Sequence, residues 1–148
     1  MQPQHSVRIL FSRRPTASSM LLRAFLWSEW SHCAVQVGDR VYEATAKHGV
    51  VEHTLAQHLE GTDRYHCIDV PLTQPQIMQL EVWAKSQIGK GYDWFGALGI
   101  AFRRNWEEDD CWFCSEYVAW LFQRVGRPLV NKPGWRITPP DLAQIVLQ

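Results

Sequence analysis

A chain of 148 residues, 46% of them apolar, has the size of one domain and enough apolar surface to bury a core, so a single domain over 1–148 is expected. Fifteen basic residues balance fifteen acidic ones, which leaves no net field to gather phosphates or anionic lipid and sets nucleic acid aside as a partner. Four cysteines are too few for a disulfide-built scaffold, and free thiols are expected.

The opening stretch, MQPQHSVRILFSRR, lacks the basic start, apolar run and small-residue cleavage site of a secretion signal. A cytoplasmic location is expected, with delivery by lysis, injection or a larger assembly left open. Residues 6–12 form a predicted strand that Arg13 to Pro15 interrupt, and Thr16 caps a predicted helix to about Trp27. Cys33 to Val37 and Arg40 to Ala44 are β-prone, and Gly38-Asp39 between them is a hairpin turn signal. Further strands are predicted at Val50 to His53 and Tyr65 to Val70, with a helical turn over Thr54 to Leu59.

Pro71 and Pro75 mark the end of the sheet, and Gln74 to Ile88 carries Ile77, Leu80, Ala84 and Ile88 on one helical face. The glycine-rich segment GKGYDWFGALGIAF reads as a loop feeding a short buried helix. Its apolar run, Trp94 to Phe102, is nine residues, about half of what a bilayer-spanning helix needs, so no membrane span is expected. CWFCSEYVAWLF at 111–122 heads another helix, Gly126 stops it, and Pro139-Pro140-Asp141 starts a last one. Strands followed by helices are the pattern of an α+β domain, an antiparallel sheet packed against helices.

Cys114, Val118, Leu121, Phe122 and Val125 recur on one face of the 111–122 helix. Cys114 falls in the first turn, where unpaired N–H groups and the helix dipole lower a thiol pKa and can receive an oxyanion. Cys111, one turn earlier, gains none of this. An inert buried thiol is the plain alternative for Cys114, and a nearby base weighs against it. Alternation sends His32, Ala34 and Gln36 to one face of their strand and Cys33, Val35 and Val37 to the other. Across the hairpin, Glu43 is a carboxylate in an otherwise apolar strand, placed to reach the imidazole. Cysteine, histidine and an orienting acceptor form the usual set for a thiol nucleophile.

SHCAVQVGDRVYEA, HGVVEHTLAQHL, GKGYDW, CSEYVAWLF and TPPDL follow one another over most of the chain. In this order the chain resembles the circularly permuted branch of the NlpC-like papain-fold superfamily, which includes the YiiX-like hydrolases and the lecithin:retinol acyltransferase relatives. The resemblance implies a permuted papain-like α+β fold with Cys114 as nucleophile, His32 as general base and Glu43 as the polar residue that orients the imidazole. It also implies that Tyr92 lies near the nucleophile and helps bind the oxyanion, and that no metal or organic cofactor is needed. Amide or peptide bonds, such as those of cell-wall peptides, are the first substrate class; lipid or thioester acyl groups are the second.

Other readings use the same residues differently. Cys111 and Cys114 have C-x-x-C redox spacing, but they follow the whole sheet instead of an early strand of a βαβ unit. A zinc site of Cys111, Cys114, His32 and Cys33 is opposed by strand alternation, which parts His32 from Cys33. His48, His53 and His58, five apart, match no single face of a helix or strand and are expected at the surface. A non-catalytic interaction module that keeps the fold is the remaining class. The acidic run Glu107 to Asp110 would raise the thiol pKa if it lay near Cys114, or would select a cationic substrate group.

Overall fold

A computed structural model describes residues 5–13, 32–45, 48–62, 64–92, 111–112 and 114–129. The helix expected over 16–27, the apolar segment 94–102, the acidic run 107–110 and the last helix lie outside these residues.

The sheet has five strands: β1 (His5–Arg13), β2 (His32–Val37), β3 (Arg40–Thr45), β4 (Gly49–Thr54) and β5 (Arg64–Leu72). Their order is β4-β3-β2-β1-β5, and every neighbouring pair is antiparallel. Along β1, Val7, Ile9 and Phe11 face one layer of the core and Leu10 faces the other, so its unbroken Ile-Leu-Phe run suits a strand buried on both faces. Gly38 takes φ 59° at the β2–β3 turn, a left-handed conformation that glycine adopts without steric cost. Pro71 lies inside β5, opposite Ser6, and does not end the sheet. Among the described residues the strand is at the edge and pairs only with β1, so a proline without an N–H is tolerated there.

Three described helices complete the fold: α1 (Leu55–Leu59), α2 (Gln74–Ser86) and α3 (Cys114–Arg124). Two of them start in capping boxes. Thr54 accepts from the Gln57 N–H while Gln57 accepts from the Thr54 N–H, and Thr73 with Gln76 repeats the arrangement. Because α2 stops at Ser86, Ile88 falls beyond it and is 43% exposed, instead of extending the buried face of Ile77, Leu80 and Ala84.

The larger core lies between the sheet and α2 and α3, with Phe11, Val35, Tyr42, Leu80, Tyr117 and Phe122 among its members. A smaller one, Leu10, Ala34 and Val41 with Leu55 of α1 packed on it, covers the opposite face. A two-stranded parallel ladder of β6 (Gly91–Tyr92) and β7 (Cys111–Trp112) sets the GKGYDW loop beside the lead-in to α3. It is tied to β4 by Val50 N–H donating to the Lys90 carbonyl at 2.8 Å and Gly89 N–H donating to the Val50 carbonyl at 3.0 Å. Among the described residues, no helix is long and apolar enough to cross a membrane.

Candidate active site

Helix α3 starts at Cys114 and is more deeply set than an amphipathic pattern implies. Ser115, Glu116, Tyr117 and Ala119 are buried along with the expected Val118, Leu121 and Phe122. Two polar ties hold the helix against α2: the Tyr117 hydroxyl donates to the Ala84 carbonyl at 3.1 Å, and Gln76 Nε2 donates to the Val125 carbonyl at 3.0 Å. A thiol on so constrained a helix keeps its position against the sheet.

At the open end of the β2–β3 hairpin the strands part. Their register runs only from Val37↔Arg40 to Val35↔Tyr42, so His32 and Cys33 extend past the last pair. Both influence the Cys114 thiol, which lies close enough to the Cys33 side chain and backbone and to the His32 imidazole for each to favour its ionised form. His32 and Cys33 are consecutive residues of β2, paired with Ser12 and Phe11 of β1, and both act on Cys114 although alternation was expected to part them. The Cys114 thiol is held well below its ordinary range, first by hydrogen bonding from Cys33, against burial, and then by the bond and charge of His32. Burial pushes the Cys33 thiol well above its ordinary range, and the neighbouring Cys114 adds to this.

His32 turns its Nε2 to Glu43 Oε2 at 3.2 Å. Burial alone would lower the imidazole pKa, but hydrogen bonds to Cys114 and Glu43 and their charges outweigh it and push it up to about 10. Glu43 is 2% exposed and is shared by three histidines. His53 Nδ1 lies 3.1 Å from Oε1, and His58 Nδ1 is hydrogen-bonded to Oε2. Burial pulls the Glu43 carboxyl upward, yet the hydrogen bonds from His32 and His58 hold it well below the usual carboxylate range. An ionised carboxylate offers only acceptors, so each of these rings has its proton on the nitrogen that faces Glu43. For His32 that is Nε2, which leaves Nδ1 bare when the ring is neutral.

Two of the three histidines expected at the surface are therefore site residues. His48 is exposed, but His53 is half-buried and His58 is 2% exposed. The signal that finds His58 is the capping box at Thr54 and Gln57. It fixes the start of α1, so that Leu55 and His58, three apart, face the sheet together. Cys33 was likewise legible only as a strand residue on the core side. The backbone of Tyr92 pairs with Trp112, while the side chains of Tyr92 and Cys111 lie outside the described residues.

The ligand atoms of His32, Glu43 and His58 all lie within 4.8 Å of one another. Two imidazoles and a carboxylate are a donor set that suits a borderline divalent metal. This set differs from the cysteine-based one considered from the sequence.

The five-stranded antiparallel sheet packed against helices is similar to the fold of a YiiX protein. Two Escherichia coli proteins are among those to which the chain is similar. The chain is 29% identical to a protein of strain K12 described as probable lipoprotein peptidase YaeF, over 168 aligned positions covering 90% of this chain and 61% of that one. The chain thus spans about three fifths of that curated relative's length. The crystal structure of YiiX from strain O157:H7, titled a metalloprotein, superposes with a TM-score of 0.68 at 25% identity, over 88% of this chain and 71% of that one. No family model matches the chain.

Proposed function

We propose that the chain is a thiol-dependent hydrolase of amide or peptide bonds, with Cys114 as nucleophile, His32 as general base and acid, and Glu43 as the residue that orients His32. The observation that carries this reading is the ring of His32 lying between the Cys114 thiol and a buried carboxylate. The peptidase description of YaeF favours amides over lipid or thioester acyl groups, which are the second substrate class.

Chemically, the His32 ring takes the Cys114 proton, and the thiolate attacks the substrate carbonyl. N–H groups at the first turn of α3 stand where an oxyanion would form, and the Tyr92 hydroxyl is the further donor we assign to it. Collapse of the tetrahedral intermediate breaks the C–N bond, with His32 returning the proton to the leaving amine. A thioester remains on Cys114. Water, giving a proton to His32, then attacks it, and the acid leaves with the thiol restored. Glu43 keeps Nε2 protonated throughout, so Nδ1 is the nitrogen that moves the proton.

A metal could be held by His32, Glu43 and His58, and it would supply positive charge and Lewis acidity there. Catalytic zinc keeps one open position for water or substrate. Here Glu43 and His58 are almost fully covered, and only His32, 24% exposed in its side chain, touches solvent. This setting favours the thiol over the metal as the reacting group.

The test is turnover by the wild type and Cys114→Ala over a panel of peptide, ester and thioester substrates, with acyl-enzyme mass spectrometry. Loss of turnover and of the acyl adduct in Cys114→Ala is expected. Turnover that survives the substitution ends the proposal.

A further inference from the structure

We infer that the outer face of α2, together with the neighbouring end of α3, is a docking surface for an acidic amphipathic segment of a protein partner. The surface uses none of the side chains assigned to the reaction, so it stands apart from the chemistry of Cys114.

Its apolar part is a row on one helix. Met78 and Val82 are 62% and 67% exposed, and Trp83 and Ile88 are exposed beside them. Among the described residues, Tyr65 of β5 is the one other large apolar side chain in that class. Large apolar side chains gathered on one element mark an interaction site, whereas the same groups scattered singly would not. Met78 and Val82, four apart, stand on the side of α2 opposite Ile77, Leu80 and Ala84, which face the core. The helix thus has two apolar sides, and the fold uses one.

Along the flank of this row, Trp83 meets Trp120 of α3 edge to face, with ring centroids 5.7 Å apart. The Arg124 guanidinium lies 4.8 Å from the first ring and 5.2 Å from the second. Two indoles therefore hold the plane of a cation whose residue is exposed. A guanidinium held in this way matches the two oxygens of a carboxylate. Trp, Met and Arg are also the side chains enriched at protein interfaces, Trp and Arg at their energetic centres.

Charge selects the occupant. Lys85 and Arg127 are exposed as well, and among the described residues no carboxylate pairs with either of them or with Arg124. The Val125 carbonyl is tied to Gln76 at the start of α2, so Arg127 lies near one end of the apolar row and Lys85 near the other. Glu81, the carboxylate of α2, is close enough to Tyr42 in the core to act on its hydroxyl, which turns it from this face. A second copy of the chain docked here would set the cations against one another, and like charges oppose an interface. Anionic lipid is read by clusters of about four to eight cations, more than Lys85, Arg124 and Arg127 supply. A protein segment with apolar side chains on one face and carboxylates on its flanks meets the row and the cations together. With 13 residues, α2 is about 20 Å long, enough for a partner helix to lie along it.

The experiment uses the full chain as bait for a phage-displayed library of helical peptides, with apolar residues fixed at helical spacing and Glu, Gln or Lys varied at the flanks. Met78→Asp and Val82→Asp, at exposed positions and checked for unchanged thermal unfolding, serve as counter-targets. Glu-flanked peptides are expected to be selected. A fluorescent copy of one should bind Met78→Asp and Val82→Asp at least about tenfold more weakly than the wild type, and salt should weaken it further. Lys85→Glu combined with Arg127→Glu should reverse the preference to Lys-flanked peptides, and Tyr65→Ser should change nothing. No enrichment, enrichment indifferent to the flanking charge, or peptides that bind both counter-targets like the wild type would each overturn the inference. Co-sedimentation with phosphatidylglycerol vesicles that Val82→Asp abolishes would overturn it in favour of lipid, and a wild-type dimer that Val82→Asp makes monomeric would do so in favour of a second copy. Peptide binding is read without any substrate, so its failure and that of the hydrolase reading are separately visible.

Discussion

At the scale of single residues, the site divides its cysteines by role. The Cys114 thiol is held low by Cys33 and by the His32 ring; Cys111 sits in the β7 lead-in. Cys111→Ala is expected to keep most turnover, and Cys114→Ala to lose it, in the same substrate panel. Cys33 is the residue that makes the difference measurable. Because the Cys114 thiol is held below its ordinary range, it should react with iodoacetamide at lower pH than a free cysteine, whose pKa is about 8.5. Removing the Cys33 donor in Cys33→Ala should move the midpoint of labelling upward in pH. A profile that stays in place would show that His32 alone depresses the thiol.

At the scale of elements, α1 is the part most dependent on local chemistry. Five residues cannot hold a helix by propensity, because nucleation is costly, so the capping box and the packing of Leu55 and His58 carry it. Thr54→Ala should cost about 1 kcal/mol in denaturant unfolding and reduce turnover through the displacement of His58 from Glu43. Helix α3 is fixed differently, by burial around most of its first two turns. Its tie to α2 is tested by Tyr117→Phe, which loses the bond to the Ala84 carbonyl. Since that carbonyl also accepts from the Gln87 N–H at 3.3 Å, the expected cost in thermal unfolding is about 1 kcal/mol and no more.

At the scale of the whole molecule, the site joins β2, β3, α1 and α3, which are far apart in the chain. Layers on both faces of one sheet hold them together. Cys114 comes from the α2–α3 side and His58 from the α1 side, with His32 between them where the β2–β3 register ends. A large-to-small change in the main core should therefore act at a distance. Phe122→Ala, which empties a fully buried position, should cost about 3–5 kcal/mol. Cys114 labelling should also slow at temperatures where the protein is still folded, as α3 loosens against β2.

Sequence alone determined the strands of the main sheet, the β2–β3 turn and the start of α3, and it singled out Cys114, His32 and Glu43 as the proposed site residues, because each is written in local periodicity, turn chemistry or motif order. Helical spacing turned Cys114 inward, and a glutamate inside an apolar strand stood out without any contact map. Tertiary structure decided the rest. His53 joins Glu43 through the β3–β4 pairing, and His58 only because α1 folds back over β3 and β4; no repeat along the chain records a contact across a sheet face. Cys33 and His32 both act on one thiol because α3 packs its first turn against the start of β2, a placement that alternation along the strand does not record. Periodicity assigns a residue to a face; only the packing of the elements determines which groups share a proton.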